Sequence, residues 1–279
     1  MMSKKTNKAG CENCHYSGFT VEESDNYSKA VLCGCINNCS DCDGSGNVLS
    51  EGENGYTYVA PCKSCGVIRR NVKLYNIAGI PAKYSHVLQV DASLELKKMH
   101  TSALKALKYA KEEFVKKYPT KNGFLLMGPS GLGKTHLAVG TISELTLKHG
   151  VKCMFKDFFY LLSELKQAYS EGTPENDVIL PLIETDVLVI DELGKGRSNE
   201  WELNILDQLI SKRYNASKKT LITTNYVTYD LAKDLGETKE ILEVRVGDRI
   251  ASRLHEMCEF LYIQGRDFRK EHKKAQNFQ

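Results

Sequence analysis

The segment Gly128–Thr135 constrains the fold of this chain more than any other feature. It reads Gly-Pro-Ser-Gly-Leu-Gly-Lys-Thr and matches the pattern G-x-x-x-x-G-K-[ST] at every fixed position. The apolar run Phe124–Met127 precedes it, and the apolar residues of His136–Leu145 recur at helical spacing. This order of strand, glycine-rich loop and helix directs backbone N–H groups and the positive end of a helix at phosphate groups. The sequence therefore predicts a site for a nucleoside triphosphate.

The residues of this loop have separate expected tasks. Lys134 is expected to reach the β- and γ-phosphates of ATP, and the Thr135 hydroxyl is expected to hold Mg²⁺. The expected nucleotide-binding residues are Gly128, Pro129, Ser130, Gly131, Leu132, Gly133, Lys134, Thr135 and His136.

Short apolar runs alternate with amphipathic helical patterns from residue 121 onward. Strands that are separated by helices favour a parallel sheet, so the predicted fold class is α/β with a five-stranded parallel sheet. The candidate strands are Phe124–Met127, Lys152–Phe155, Val187–Ile190, Thr220–Thr224 and Phe260–Ile263.

Polar residues follow two of these candidate strands. Asp191 and Glu192 come directly after Val187–Ile190, and Asn225 comes directly after Thr224. Ligands of open α/β sheets bind at the carboxyl ends of the strands. We therefore expect Asp191 to hold the Mg²⁺ shell and Glu192 to polarise the water that attacks the γ-phosphate. The Asn225 amide can donate and accept, so it could bind both that water and the γ-phosphate.

Composition and hydropathy limit the class of protein. The chain has 279 residues, of which 42% are hydrophobic and 26% charged, and its net charge of +3 is too small to indicate nucleic-acid binding by itself. No apolar run is long enough to cross a bilayer, and no segment resembles a signal peptide. We therefore expect a cytoplasmic protein without a membrane partner, in which cysteines stay reduced.

Eight of the ten cysteines lie before residue 66, in short pairs of the form C-x-x-C or C-x-C. Each pair can present two thiolates to one tetrahedral metal ion, so four pairs predict two Zn²⁺ ions. The expected zinc ligands are Cys11, Cys14, Cys33, Cys35, Cys39, Cys42, Cys62 and Cys65.

The grouping of these pairs stays open at the level of sequence. Neighbouring pairs could share a metal, which would group residues 11, 14, 33 and 35 and residues 39, 42, 62 and 65. A nested arrangement would instead group residues 11, 14, 62 and 65 around one ion and residues 33, 35, 39 and 42 around the other. His15 could replace a cysteine, and Cys153 and Cys258, in apolar surroundings, are expected to be inert core residues.

The shift in composition predicts three segments. Residues 1–70 form a cysteine-rich zinc module, residues 71–120 a linker with a basic amphipathic helix, and residues 121–279 the ATPase domain. Gly79 and Pro81 argue against a continuous helix in the linker. The helix is predicted because apolar residues recur every three or four positions, and Pro119 is expected to end it. The recurring apolar residues are Leu96, Met99, Ala103, Leu107, Ala110, Phe114 and Tyr118.

Together these motifs resemble the AAA+ ATPases of the DnaC/DnaI/IstB group. Besides the phosphate loop, the resemblance rests on Asp-Glu-Leu-Gly194, Trp201 before a helix that ends Lys-Arg-Tyr214, Thr-Thr-Asn225, and Ala-Gly-Ile-Pro81. The resemblance implies that Asn225 is sensor 1. It also implies that Arg253 is an arginine finger acting on a neighbouring subunit and that Arg269 is sensor 2. ATP would then lie at the subunit interfaces of a homo-oligomer.

The resemblance also implies macromolecular partners. Members of the group include replicative helicase loaders, some of which grip the replicative DNA helicase through a zinc module before the ATPase. The segment Asp157–Tyr169 corresponds to a helix that touches single-stranded DNA in these proteins. There Tyr169 could stack on a base and Lys166 could pair with a phosphate. Phe158, Phe159, Leu162 and Leu165 are expected to be core.

The functional prediction is an ATPase that loads the replicative DNA helicase onto single-stranded DNA. An IstB-like transposition helper is the nearest alternative, because it shares the motifs of the ATPase core. A zinc-dependent DNA-binding adaptor, with ATP as a conformational switch only, is a second alternative.

Overall fold

The computed structural model describes residues 11–15, 17–89, 100–236 and 240–270, and the chain divides into two units. The first unit comprises Met1–His86 and Leu145–Lys152. The second unit comprises Val87–Glu144 and Cys153–Gln279.

Two antiparallel hairpins make up much of the first unit, and each follows a C-x-x-C pair. Strand β1 (Phe19–Ser24) pairs with β2 (Tyr27–Leu32), and β3 (Asn47–Glu51) pairs with β4 (Thr57–Pro61). The short helix α1 (Gly34–Asn37) follows the first hairpin, and α2 (Gly66–Ile77) follows the second. Because α2 runs across residue 70, the predicted boundary there does not coincide with a break in secondary structure.

Helix α2 is fastened to strand β2 by side-chain hydrogen bonds. The hydroxyl groups of Tyr75 and Ser28 lie 2.7 Å apart, and the Tyr75 side chain is fully buried. The Asn76 amide accepts from the Ala30 backbone N–H at 2.7 Å and donates to the Ala30 carbonyl at 3.0 Å. The helix ends before Gly79, which has a φ of 69°. This ending agrees with the break predicted in the linker.

The described part of the predicted basic helix begins at α3 (Thr101–Lys108) and continues as a π-helical turn over Tyr109–Val115. The residues predicted to form its apolar face are buried where the structure describes that face from Ala103 to Phe114. Leu96 and Met99 lie outside the described residues. Two lysines near the end of the helix pair with glutamates one turn earlier, Lys116 with Glu112 and Lys117 with Glu113, so part of its positive charge is neutralised within the helix.

Among the described residues of the second unit, five strands form one parallel sheet in the order β6-β7-β8-β5-β9. Every strand lies within two residues of its predicted position, which confirms the predicted fold class. The strands are β5 (Gly123–Met127), β6 (Cys153–Asp157), β7 (Val187–Asp191), β8 (Lys219–Thr224) and β9 (Cys258–Tyr262).

Three helices of this unit begin directly after a capping side chain. Asp157, Asn199 and Thr228 each accept a hydrogen bond from a backbone N–H in the first turn of the helix that follows. The helices that lie wholly or mainly in this unit are α4 (Lys134–His149), α5 (Phe158–Glu171), α6 (Glu175–Glu184), α7 (Glu200–Asn215), α8 (Tyr229–Leu235), α9 (Leu242–Val246) and α10 (Asp248–Met257). None of the described helices is long and apolar enough to cross a membrane.

Apolar side chains of β5, β7 and β8 pack with those of α5, α6, α7 and α10 in one cluster. Cys153 and Cys258 are buried, as expected. Apolar packing therefore stabilises the sheet, and polar residues lie at the carboxyl ends of its strands.

Arg213 of α7 is a fully buried cation that joins three segments of this unit. Its guanidinium donates to the carbonyl oxygens of Leu182 at 2.6 Å, Thr185 at 2.9 Å and Lys219 at 2.5 Å, among others. Burial lowers the pKa of Arg213 to about 10, although Asp186 opposes the shift. The arginine therefore satisfies carbonyl groups at the end of α6 and at the start of β8.

We expect Arg213→Leu to lower the free energy of unfolding by about 3 kcal/mol or more, because several buried carbonyl groups lose their donor. Urea denaturation followed by circular dichroism measures this change. The control is Lys212→Leu at the exposed neighbouring position, which should change the free energy of unfolding by less than about 0.5 kcal/mol. Equal midpoints for the two variants would contradict the structural role of Arg213.

Candidate nucleotide site and cysteine centres

Glycines shape the loop between β5 and α4. Gly128, Gly131 and Gly133 have φ values of 135°, 82° and 83°. A Cβ at Gly128 would lie 2.2 Å from the Ile263 carbonyl oxygen, and one at Gly131 would lie 2.0 Å from a carboxylate oxygen of Asp267. A larger residue at Gly128 would therefore collide with backbone and one at Gly131 would displace the Asp267 side chain, while the positive φ alone disfavours a larger residue at Gly133.

Lys134 is the first residue of α4, and its side chain is buried. Its ammonium donates to the carbonyl oxygens of Gly128 at 2.7 Å and Pro129 at 2.8 Å and to Oδ1 of Asn225 at 2.9 Å. Burial lowers the pKa of Lys134 to about 8; Asp191 opposes this shift and Arg269 adds to it. The predicted phosphate-binding lysine and the predicted sensor 1 asparagine are therefore in direct contact.

The Asp191 carboxylate lies at the end of β7 and is buried. Its Oδ1 accepts from the hydroxyl of Thr135 at 2.9 Å and from that of Thr223 at 2.5 Å. Burial raises the pKa of Asp191, and the two hydroxyl donors oppose this shift. Two oxygen-bearing side chains predicted to hold Mg²⁺, Thr135 and Asp191, thus lie together, and carboxylate and hydroxyl oxygens suit that hard cation.

Thr223 is a residue of this site that the sequence reading missed. Besides binding Asp191, its hydroxyl accepts from the backbone N–H of Glu192 at 3.1 Å. Its position two residues before Asn225, at the end of a strand next to β7, was the available signal.

Glu192 follows Asp191 with a left-handed backbone, φ 56°. Its carboxylate forms an ion pair with the ammonium of Lys195. The predicted general base is therefore placed at the edge of the sheet beside Asp191, and a lysine holds it there.

The two predicted arginines have different surroundings. Arg269 belongs to a segment that touches the glycine-rich loop, since the Phe268 N–H donates to the Gly131 carbonyl at 3.1 Å, and its charge affects the pKa of Lys134. Arg253, on α10, donates instead to Asp207 of α7 at 2.8 Å. The structure thus brings Arg269 near the loop and pairs Arg253 with a carboxylate of its own chain.

The two predicted DNA contacts lie around one tryptophan. The Lys166 ammonium is 5.1 Å from the centroid of the Trp201 ring, and the Tyr169 and Trp201 rings lie 6.2 Å apart. Tyr169 also donates a hydrogen bond to Glu175 and is 44% exposed. Trp201 therefore belongs to the same surface as Lys166 and Tyr169.

The prediction that Phe159 of α5 belongs to the core is wrong. Phe158, Leu162 and Leu165 are buried as expected, but Phe159 is 46% exposed. The buried positions of α5 follow helical spacing from Phe158, and the residue directly after Phe158 is rotated by about 100° from that face.

The eight N-terminal cysteines form two groups of four, and neighbouring pairs share a group. The first group is Cys11, Cys14, Cys33 and Cys35, and the second is Cys39, Cys42, Cys62 and Cys65. His15 is exposed and belongs to neither group. Within each group the ligand atoms all lie within 4.8 Å of one another.

The sulfur positions test whether these groups fit a metal. The cysteines are free thiols, and the Sγ atoms of Cys11 and Cys33 lie 3.6 Å apart, while those of Cys39 and Cys62 lie 3.8 Å apart. A zinc ion with four Zn–S bonds of about 2.3 Å at tetrahedral angles separates its sulfurs by about 3.8 Å. Both groups therefore fit a tetrahedral zinc ion.

The two groups arise from a repeated unit that the sequence reading missed. The pattern C-x-x-C-x-x-S-G begins at Cys11 and again at Cys39, and each copy leads into a hairpin that ends at another cysteine. The hydroxyls of Ser17 and Ser45 make matching bonds to the carbonyl of the second cysteine, both at 2.7 Å. The identical spacing of the cysteine, serine and glycine residues in the two copies was the signal available in the sequence.

Backbone donors stabilise one thiolate in each copy. The Gly18 N–H lies 3.4 Å from the Cys14 sulfur, and the Gly46 N–H lies 3.2 Å from the Cys42 sulfur. Burial raises the pKa of both thiols, but these donors and the neighbouring thiols lower it to about 7 in each case. The thiolate is the form that binds metal.

The second group has an additional donor that the first lacks among its described contacts. The Arg69 Nε–H donates to the Cys65 sulfur at 3.3 Å, and its Nη2 donates to the Ile36 carbonyl at 3.0 Å. Cys65 is buried, whereas Cys35 of the first group is exposed. The two centres are therefore similar in their ligands and different in their surroundings.

A family model for IstB-like ATP binding proteins matches residues 68–276, which is most of the chain. The chain belongs to this family. In the crystal structure of the DnaC helicase loader, 99% of the chain aligns with 65% of this one at 30% identity and a TM-score of 0.55. A crystal structure of DnaI aligns at 24% identity and a TM-score of 0.52 and supports the fold alone. The expected AAA+ fold and the expected resemblance are confirmed.

Two curated relatives are similar over shorter segments. The replicative helicase loader DnaC of Escherichia coli is 31% identical over 115 residues, which are 41% of this chain and 46% of that protein. An ATP-binding protein of insertion sequence IS5376 from Geobacillus stearothermophilus is 30% identical over 161 residues, which are 56% of this chain and 59% of that protein. The chain thus spans about half the length of the curated relatives that it matches.

A pH dependence of nucleotide binding follows from the buried Lys134. Because its pKa is lowered to about 8, the ammonium loses its proton above that pH and no longer attracts phosphate. We expect ATP affinity to be constant below pH 8 and to fall above it, by up to about tenfold per pH unit. Titration with a fluorescent ATP analogue between pH 7 and pH 9.5 measures this. Lys134→Met should bind weakly at every pH, and an unchanged wild-type affinity at pH 9.5 would contradict the assignment.

Metal removal distinguishes the two cysteine centres. We expect a zinc-loaded chain to release one ion quickly to a chelating dye, from the first group with its exposed Cys35, and the other slowly. Arg69→Gln should speed the slow phase by about tenfold, because a donor to the Cys65 sulfur is lost. Lys73→Gln, an exposed position on the same helix, is the matched control. A single phase that releases both ions together would contradict the difference.

Proposed function

We propose that this protein is a Mg²⁺-dependent ATPase that loads a replicative DNA helicase onto single-stranded DNA. The observation that carries the proposal is the geometry of the candidate nucleotide site, in a fold similar to DnaC. Lys134 is hydrogen-bonded to Asn225 there, and Thr135 is hydrogen-bonded to Asp191. The cysteine module before this fold supports a loader that grips its partner through a zinc-bearing segment. A cytoplasmic location belongs to the same proposal.

The chain's own residues would divide the work of ATP hydrolysis. Lys134 and the N–H groups of the glycine-rich loop bind and orient the phosphates, and Thr135 and Asp191 hold the cation. Bound Mg²⁺ would supply electrostatic stabilisation of the phosphate oxygens. Glu192 takes up hydrogen bonds from the attacking water, and Asn225 orients that water. Arg269, near the loop, adds positive charge.

We propose that Arg253 completes the site of a neighbouring subunit in a homo-oligomer. Its guanidinium is held by Asp207 on α7, and its side chain is 21% exposed, so a fixed cation is presented on α10. A planar guanidinium can bridge oxygens of a γ-phosphate. Asp207 would then orient the finger.

The proposed partners bind separate parts of the chain. The cysteine module with two Zn²⁺ ions would bind the replicative DNA helicase. The surface of Lys166, Tyr169 and Trp201 would bind single-stranded DNA by pairing with phosphate and stacking on bases.

A transposition helper is the second candidate function, favoured by the similarity to the IS5376 protein and by the family itself. Affinity capture with replicative helicase and with transposase as separate baits distinguishes the two. Capture by the helicase alone supports the loader, and capture by the transposase alone overturns it. A chain without ATP turnover in the presence of single-stranded DNA would instead be an adaptor with a nucleotide switch.

The arginine finger is tested by Arg253→Ala. We expect DNA-stimulated ATP hydrolysis to fall by about 10³-fold or more, while ATP affinity stays within about twofold, because the finger acts on charge that develops during hydrolysis. Steady-state hydrolysis and ATP titration measure the two quantities.

The matched control is Arg249→Ala, one helical turn earlier on α10 and more exposed. It should retain most of the hydrolysis rate. Equal losses of binding and hydrolysis in Arg253→Ala would overturn the assignment.

A further inference from the structure

The loop that follows β7 carries the proposed catalytic carboxylate on a backbone that needs support. We refer to residues 192–199 as the β7–α7 loop. Positive φ values occur at Glu192 (56°), Gly194 (85°), Gly196 (154°) and Ser198 (52°). Residues other than glycine rarely adopt this conformation, so contacts from outside the loop have to hold Glu192 and Ser198 in place.

Strand β8 and helix α7 fasten the two ends of the β7–α7 loop. At its beginning, the Leu193 carbonyl accepts from the Thr224 hydroxyl at 2.8 Å. At its end, the buried Glu202 carboxylate accepts from the backbone N–H groups of Arg197 at 3.0 Å and Ser198 at 2.9 Å. The middle of the loop is fastened by a side chain from a third element.

Arg245 of α9 contacts the middle of the β7–α7 loop. Its Nη2 donates to the Gly196 carbonyl at 3.2 Å and to the Tyr226 hydroxyl at 2.9 Å. The central carbon of the guanidinium lies 4.9 Å from the centroid of the Tyr226 ring. One planar guanidinium therefore joins the loop of Glu192 to the residue directly after Asn225.

Tyr226 packs against the same loop. A Cβ at Gly194 would lie 2.8 Å from two ring carbons of Tyr226 and 3.4 Å from Cβ of Arg245. The absence of a side chain at Gly194 thus allows the ring to approach the backbone of the loop. Gly194, Tyr226 and Arg245 form one packed contact between the segment of Glu192 and the segment of Asn225.

Stability alone does not explain an arginine at position 245. Its Nε is buried and has no hydrogen-bond partner among the described residues. A buried donor without an acceptor costs free energy, and this cost partly offsets what the two bonds of Nη2 contribute. A buried polar group of this kind calls for a further role of the side chain.

We propose that Arg245 is a positioning residue for ATP hydrolysis, which holds the loop of Glu192 and the segment of Asn225 in a fixed relative position. This inference rests on the proposed ATPase function and names a residue outside the nucleotide site on which that function depends. Glu192 and Asn225 act on the same water, so a small displacement of either lowers the rate. Lys134 and the glycine-rich loop bind the phosphates without Arg245.

The first experiment measures kcat of ATP hydrolysis and the Kd of ATP for the full chain, with rates expressed per ATP-binding site. Arg245→Gln is expected to lower kcat by about tenfold and to leave Kd within about twofold. Arg245→Lys keeps the charge but lacks the planar fork, so an intermediate kcat is expected. Val244→Thr, at the exposed neighbouring position, is the matched control and should match wild type.

The second experiment tests the bridge from Arg245 to Tyr226 with a double-mutant cycle. Tyr226→Phe removes only the hydroxyl and is expected to lower kcat by about threefold at unchanged Kd. The double variant should be no slower than Arg245→Gln alone, because both changes break the same bridge. A role in stability only would lower the midpoint of urea denaturation and leave kcat per site at the wild-type value.

The outcomes separate this inference from the function on which it rests. Hydrolysis by Glu192→Gln at the wild-type rate would overturn the ATPase assignment and this inference together. An active ATPase whose Arg245→Gln variant keeps the wild-type kcat would overturn the inference alone, as would a Kd that rises as much as kcat falls.

The cycle gives a second decision. Losses in the double variant that multiply would overturn the bridge, since Arg245 and Tyr226 would then act separately. Should Arg245→Gln fail to fold, Tyr226→Phe decides by itself. An unchanged kcat in Tyr226→Phe overturns the inference, and a loss of about threefold at unchanged Kd supports it.

Discussion

The buried carboxylate of Asp191 is the interaction on which the nucleotide site depends. It receives hydroxyl donors from Thr135, at the start of α4, and from Thr223, near the end of β8. A buried carboxylate without such donors would cost several kcal/mol, so the two hydroxyls and the acid are held in one arrangement. Because all five strands are parallel, their carboxyl ends meet at one edge, and residues 56 positions apart in sequence become neighbours.

The first unit differs from the second in what can stabilise it. Its hairpins expose Leu49, Tyr58 and Val59, and the buried cluster around Ile36 consists mainly of cysteines. A segment with so few buried apolar side chains needs another source of stability, and metal–thiolate bonds at the two cysteine groups would provide one. The C-x-x-C-x-x-S-G pattern and its hairpin occur twice within this unit, so the same cysteine geometry occurs twice. Arg69 then makes the copies unequal, since it binds Cys65 of one and the Ile36 carbonyl beside the other.

Helix α5 links the core of the second unit to its surface. One stripe of the helix, from Phe158 to Ala168, is buried, and both ends carry exposed aromatic residues. At its beginning Phe159 lies beside Lys195, which pairs with Glu192, and near its end Tyr169 lies beside Trp201. The helix therefore packs on the sheet along one stripe and presents aromatic residues to the surface at both of its ends.

The sequence by itself determined the α/β class, the five strands, the phosphate-loop motif and the paired cysteines, because these depend on local periodicity and on spacing between near neighbours. Tertiary structure decided which cysteine pairs share a centre, that Thr223 holds Asp191, and that Arg253 pairs with Asp207. It also decided that Phe159 faces solvent. Each of these depends on which distant segments meet, or on a rotation of one residue about a helix axis, and local patterns do not encode either.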